Sequence, residues 1–195
     1  MTNQFSNNGF MLFGTEKNDV PLKIVSDTDG SVYVTGFCSD SNGYFYIYTD
    51  PTSKSFLTKL GADGSLSWTK YFGGGDDLEP QSVTVGIDKN IYLISGSNAV
   101  YKFSPSGELV WKIPLGLYTQ SHSKLAKTGY AEPSTSISAG SDGNLYVIGT
   151  ATPASESVAI ILTKLDSSGN IIFSKNLFDS QKNPNEGWTR PAAID

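Results

Sequence analysis

The stretch Lys59-Leu60-Gly61-Ala62-Asp63-Gly64-Ser65-Leu66-Ser67-Trp68 decides the fold, because the chain repeats its pattern. An apolar residue lies four positions before Gly64, a second lies two positions after it, and an aromatic residue lies four positions after it. The same three offsets recur around Gly9, Gly107 and Gly169. An apolar strand end, a glycine that can adopt positive φ and a strand of alternating polarity together predict a β-hairpin in each copy.

A second hairpin also recurs, built on an aspartate in a turn that is followed four residues later by a tyrosine. Its copies are Asp29 with Tyr33, Asp88 with Tyr92, and Asp142 with Tyr146. A short strand is predicted before each turn, over residues 22–25, 82–85 and 135–139. Two hairpins of this kind make a unit of four antiparallel strands.

The three aspartates are 59 and 54 residues apart, which is typical of the four-stranded blades of a β-propeller. The strands that contain the tyrosines are apolar on both faces, as expected for sheets covered on both sides. We therefore predict an all-β chain of propeller blades, an incomplete propeller of about three to four units. The predicted divisions are 1–20 for outer strands of a preceding blade, 21–80, 81–133 and 134–188 for blades, and 189–195 for the start of a further repeat.

Composition excludes several classes of function. The net charge of −5, with no cluster of Lys or Arg, argues against nucleic-acid binding, which needs a concentrated positive patch. The apolar runs are far shorter than the roughly 20 residues that a membrane-spanning helix needs, so we expect no insertion into a membrane. The N-terminus has neither the basic start nor the apolar stretch of a secretory signal. Cys38 is the single cysteine, which excludes an internal disulfide.

Two segments resemble a known family. Gly64-Ser-Leu-Ser-Trp68-Thr-Lys-Tyr-Phe-Gly-Gly-Gly-Asp-Asp77 and Asp29-Gly-Ser-Val-Tyr-Val-Thr-Gly36 look like the bacterial β-propeller repeat (SBBP-type) of secreted and cell-surface proteins. The resemblance covers nearly the whole chain. It implies an extracellular or cell-surface protein with a binding, adhesion or scaffold role, and it does not imply one particular activity.

On this resemblance we expect a non-enzymatic module whose ligand is a protein or a carbohydrate. Two alternatives stay open: a fragment of a secreted propeller enzyme whose catalytic residues lie outside this chain, and a calcium-stabilised structural repeat. Because three units do not close a ring of four to eight blades, we expect further blades in a longer chain or association with copies of the same chain.

The long segment between the second and third units is the candidate contact surface. It extends from Leu117 to Pro133, and insertions of this length on a rigid scaffold are often functional. Its candidate binding residues are Tyr118, His122, Lys124 and Tyr130. His122 is the only histidine, so the chain offers no nucleophile, base and orienting partner in a recognisable pattern, and we predict no catalytic residues.

No cofactor is expected apart from calcium. The candidate ligands are Asp76, Asp77 and Glu79, three carboxylates within four residues of a glycine-rich connection. A solvated surface loop explains the same residues, because water relieves the repulsion between neighbouring carboxylates. Asp27 and Asp29 resemble the start of a calcium loop, but a strand follows at once, which favours a turn. Trp68, Trp111 and Phe173 keep a strict register, which predicts packing in the core or between blades.

Overall fold

A computed structural model describes residues 4–5, 11–12, 14–40, 52–74, 79–96, 99–115, 135–151 and 159–179. These residues form strands and turns, and none of them is helical. The strands are β1 (Gln4–Phe5), β2 (Met11–Leu12), β3 (Asn18–Ser26), β4 (Val32–Ser39), β5 (Lys54–Leu60), β6 (Leu66–Phe72), β7 (Ser82–Val85), β8 (Ile91–Ile94), β9 (Ala99–Phe103), β10 (Leu109–Pro114), β11 (Thr135–Ala139), β12 (Leu145–Ala151), β13 (Ala159–Leu165) and β14 (Ile171–Asp179).

Three four-stranded antiparallel sheets account for strands β3 to β14, each sheet with its strands in chain order. We call them blade A (β3–β6), blade B (β7–β10) and blade C (β11–β14). They are blades of a β-propeller, so the predicted fold class is confirmed. The predicted strands at 82–85 and 135–139 match β7 and β11, whereas β3 extends on both sides of the predicted 22–25 and carries a bulge between Pro21 and Lys23. β1 pairs with β2 in a separate hairpin.

The blades are held together by two apolar cores, one on each face of blade B. Leu93 and Tyr101 of blade B pack with Tyr33 and Leu57 of blade A. The opposite face of the same sheet packs with blade C through Tyr92, Ile94, Ile137 and Val147, among others. All four residues of β8 are therefore buried, which is why this strand is apolar on both faces.

The first strands of the blades lie side by side. The hydroxyl of Ser82 lies 3.4 Å from the carbonyl oxygen of Ile137, and the amide of Ala139 donates to the hydroxyl of Thr84 at 3.3 Å. The contacts advance along both strands in the same direction, so β7 and β11 are parallel. Corresponding ends of the blades therefore face the same way.

Six tight turns lie at one end of the blades, which we call the turn end. In each turn the amide of the fourth residue donates to the carbonyl of the first at 2.8–3.1 Å, and the chain continues through a bulge. The fourth residues have positive φ: Gly30, Gly64, Lys89, Gly107, Gly143 and Gly169. Five of the six are glycine, which adopts this conformation without a steric cost.

Candidate functional site

The longer connections all start and finish at the other end of the blades, the connection end. In an antiparallel blade the first and third links between strands share one end, and the second link and the exit to the next blade share the other. The first and third links are the tight turns. The segments 40–53, 73–81 and 115–134 therefore start and finish at the connection end. Every candidate binding and calcium residue lies in one of these segments.

The candidate binding residues Tyr118, His122, Lys124 and Tyr130 lie outside the described residues. The structure does place the two ends of their segment. β10 is the outermost strand of blade B and ends at Pro114, and β11 is the innermost strand of blade C and begins at Thr135. The described strands on either side of the segment therefore lie at the outer edge of blade B and at the inner side of blade C.

Only one of the three candidate calcium ligands lies among the described residues. Asp76 and Asp77 lie outside the described residues, whereas Glu79 is described and is only 2% exposed. Glu79 has a φ of 60°, and its carbonyl oxygen accepts a hydrogen bond from the Gln81 side-chain amide at 3.3 Å. Among the described residues no three His, Cys, Asp or Glu side chains form a group that could hold a metal ion. A calcium site here stays a prediction.

Cys38 lies on β4 close to the connection end and is buried. Burial raises the pKa of its thiol, and the nearby Asp19 carboxylate raises it further. A protonated, buried thiol behaves as a small apolar side chain, and this is the role of Cys38 in blade A.

At the turn end, each blade carries a column of one tyrosine, one lysine and one aromatic residue. In blade A, the Lys59 ammonium lies 5.4 Å from the centre of the Tyr33 ring, and Tyr33 packs against Trp68 with ring centres 6.1 Å apart. In blade B, Lys102 lies 5.3 Å from the Tyr92 ring, which is 5.9 Å from Trp111. Blade C repeats the lysine and tyrosine pair with Lys164 and Tyr146 at 5.0 Å.

The aspartate of the first turn anchors this column in blades B and C. The Tyr92 hydroxyl donates to the Asp88 carboxylate at 2.7 Å, and the Lys102 ammonium lies 3.1 Å from it. Burial by itself would raise the pKa of Asp88, but the hydrogen bonds from Tyr92, Asn90 and Lys102 outweigh burial and lower it. Burial and the Asp88 carboxylate raise the pKa of Tyr92 well above its ordinary value.

Asp142 in blade C makes the equivalent contacts. Its carboxylate accepts hydrogen bonds from Lys164 at 2.9 Å, Asn144 at 2.8 Å and Tyr146 at 2.8 Å. These bonds hold the pKa of Asp142 far below its ordinary value. Both aspartates therefore serve the fold as structural anions, in the turns that the sequence predicted for them.

In blades A and B, the aromatic residue of the column contacts a glycine turn of the next blade. The Trp68 indole N–H donates to the Pro105 carbonyl at 3.3 Å, and a Cβ added to Gly107 would lie 3.0 Å from the Trp68 ring. A Cβ on Gly169 would lie 3.5 Å from Trp111. Trp68 and Trp111 also pack on the two inter-blade cores, which confirms the predicted packing role of these two residues.

Sequence reasoning missed that the lysine of the column in blade B reaches into the next blade. The Lys102 ammonium donates to the Ser167 carbonyl in blade C at 2.8 Å. From the other direction, Lys89 of blade B pairs with Asp27 of blade A at 2.7 Å. The constant place of the lysine before each glycine turn was visible in the sequence, but its partner is a residue 65 positions away.

Comparisons with known proteins find similar solved structures but no family. No protein-family model matches the chain, and no curated protein matches it. The chain is similar to the WD40 domain of Pan2 from Neurospora crassa, with 13% identity and a TM-score of 0.49, over 81% of this chain and 38% of that one. It is also similar to a mutant of the GH43 protein BlXynB from Bacillus licheniformis, with 18% identity and a TM-score of 0.47, over 90% and 33%.

BamB from Moraxella catarrhalis is a third similar structure, with 14% identity and a TM-score of 0.28, over 84% of this chain and 64% of that one. The chain thus spans less than two thirds of the length of each of these proteins. In the described part of the chain no helix is long and apolar enough to cross a membrane.

Proposed function

We propose that this chain is a non-enzymatic binding or scaffold module of the bacterial β-propeller repeat kind, outside the cell or at its surface, and that it binds its ligand at the connection end. The observation that supports the connection end is the division of the links between strands. Six tight turns occupy one end, and the long segments start and finish at the other.

On this proposal the turn end holds the blades together, and the connection end binds the ligand. The turn end is occupied by inter-blade contacts such as Lys102 with Ser167 and Trp68 with Pro105, which hold the blades in a constant relation. Long connections on such a rigid support can vary in sequence and shape without disturbing the cores, and binding residues are concentrated on segments of this kind. The resemblance to secreted and cell-surface repeats supports the location.

Within the connection end, the segment from 117 to 133 is the proposed contact surface. Tyr118 and Tyr130 offer aromatic faces at low conformational cost, while His122 and Lys124 offer hydrogen-bond donors. Such a set suits a protein or a carbohydrate ligand.

The test measures binding of the purified chain to an immobilised panel of glycans and extracellular-matrix proteins. We expect saturable binding to at least one member, weakened roughly tenfold or more by the double substitution Tyr118→Ser and Tyr130→Ser, because truncated aromatic anchors dominate binding losses. Tyr71→Ser is the matched control, since Tyr71 is an exposed tyrosine on strand β6. We expect it to leave binding unchanged.

Two results would contradict the proposal. One is binding that the double substitution leaves intact, which would move the contact surface elsewhere. The other is a natural reading frame that joins these blades to a catalytic domain, which would favour the propeller-enzyme alternative.

A further inference from the structure

The two outer faces of the three-blade stack are incomplete copies of the interfaces inside it. Blade A packs on blade B, and blade B on blade C, through equivalent positions. We call the outward face of blade C the trailing face; its residues are Tyr146, Ile148, Lys164, Phe173 and Lys175. We call the outward face of blade A at the turn end the leading face; it consists of Ile24, Val32, Leu60 and the turn 61–65. Inside the stack, each trailing face covers a leading face.

The trailing face of blade C is open where its counterparts are closed. Tyr33 and Tyr92 are each 1% exposed beneath the next blade, whereas Tyr146 in the same position is only half-buried. Ile94 is fully buried, and its counterpart Ile148 is half-buried. Among the described residues no strand packs on this face.

The leading face of blade A is also exposed where the equivalent face of blade C is buried. Ile137 of blade C is 3% exposed, whereas its counterpart Ile24 is 71% exposed. Leu165 is fully buried, but Leu60 in the same position is half-buried. The space above Gly64 is also open, since no described atom lies within 4 Å of a Cβ built there.

The two outer faces also carry opposite charges, close to the positions of one ion pair inside the stack. Lys70 of blade A reaches Glu108 in the turn of blade B. Counting from the aromatic residue, Lys175 takes the place of Lys70 on the trailing face. Glu108 directly follows Gly107, so its counterpart on the leading face is Ser65, and the carboxylate of that turn is the exposed Asp63, two residues earlier. On docking, Lys175 therefore faces a turn whose carboxylate, Asp63, is two residues from the position of Glu108, so the two charges are again opposite.

We propose that the trailing face of one copy of this chain docks on the leading face of a second copy. Phe173 then covers Gly64, as Trp68 covers Gly107, and Lys164 donates to the Ala62 carbonyl, as Lys102 donates to that of Ser167. The contact is head-to-tail, so each copy uses two different faces. Val34 and Phe56, which lie nearer the connection end of blade A, are already buried, so docking involves the turn-end half of the face.

The test measures the molar mass of the purified chain by sedimentation velocity and light scattering, from about 1 to 200 µM. We expect concentration-dependent association. Each single charge reversal, Lys175→Glu or Asp63→Lys, is expected to weaken it roughly tenfold or more, because like charges then face each other. The double variant carrying both changes restores an opposite pair and is expected to recover most of the association.

An equimolar mixture of the two single variants is a further test, because a head-to-tail contact re-forms opposite pairs between them although neither variant associates well alone. Glu108→Lys is the matched control: it reverses a charge at the ion pair with Lys70 inside the stack and should leave the association constant unchanged. Circular dichroism confirms that every variant is folded. A chain that stays monomeric to 200 µM, or single variants that associate like the native chain, would overturn the proposal and assign these faces to further blades of a longer polypeptide.

Discussion

Lys89 shows how one side chain can replace glycine in a turn. It adopts a φ of 63°, in the position that glycine occupies in the other five tight turns. This conformation disfavours residues that have a Cβ. The Lys89 ammonium compensates by contacting the Asp27 carboxylate and the Thr28 hydroxyl in blade A. The hydrogen bond with Asp27 raises the pKa of Lys89, so the turn of blade B is tied to its neighbour by charge.

Asp88 leads to a prediction on the pH dependence of stability. Its pKa in the folded protein is below the ordinary value of 3.8, so its contribution is complete above that value and is lost as the pH falls through the folded pKa. We expect Asp88→Asn to lower the free energy of unfolding at pH 7 by about 1 kcal/mol, because solvent partly screens this ion pair. In a protein of this length that loss lowers the melting temperature by roughly 2–4 °C.

The measurement compares the two proteins from pH 7 down to pH 2. The gap between their melting temperatures should shrink below pH 3.8, because protonated Asp88 no longer attracts Lys102. A gap of constant size across this range would show that the charge of Asp88 does not stabilise the fold.

At the scale of the element, the glycine turns have two separate requirements. Gly107 and Gly64 both have positive φ, 83° and 78°, so replacing either one with alanine strains the turn itself. Of these two glycines, only Gly107 also lies in contact with a neighbouring blade. Its added Cβ would lie 2.9 Å from Lys70 Cγ and 3.0 Å from the Trp68 ring, whereas the space above Gly64 is open.

The pair Gly107→Ala and Gly64→Ala therefore separates turn strain from contact between blades. We expect about 1 kcal/mol of destabilisation in both variants from positive φ, and roughly 1–3 kcal/mol more in Gly107→Ala from overpacking against the indole. Urea unfolding followed by tryptophan fluorescence measures the difference. Equal losses in the two variants would mean that the Trp68 contact adapts without cost.

At the scale of the whole molecule, blade B is the element on which the other two depend, because both of its faces are core. Leu93 is fully buried between blades A and B. We expect Leu93→Ala to reduce the free energy of unfolding by about 2–5 kcal/mol, from the lost transfer energy and the cavity. Leu177→Ala is the control, since Leu177 is 55% exposed and such substitutions usually change stability by about 0.5 kcal/mol or less.

Urea denaturation monitored by both tryptophan fluorescence and circular dichroism checks this prediction. If the blades unfold as one cooperative unit, the two signals should change together in the native chain and in both variants. Similar losses in Leu93→Ala and Leu177→Ala would show that the core between blades A and B does not hold the stack.

The strands could be predicted from sequence because their signals are local. The turns depend on hydrogen bonds between residues three or four apart, such as that from Gly143 to Gly140 and that from Tyr146 to Asp142. The strands between them depend on the alternation of apolar residues, which is also read from neighbouring positions. The constant lysine and aromatic positions are visible in the sequence for the same reason, but the residues that they contact are not. The candidate residues Tyr118, His122, Lys124 and Tyr130 stay predictions.

By itself, then, the sequence determined that this chain forms four-stranded propeller blades, because the geometry of a hairpin depends on residues that are close together in the chain. Tertiary structure alone decided which face of each blade meets the next, that Lys102 reaches Ser167, and that the long connections gather at one end. Such contacts join residues tens of positions apart, and no local pattern specifies them. They follow from the burial of two apolar sheet faces against each other, which selects one arrangement only when whole blades are in place.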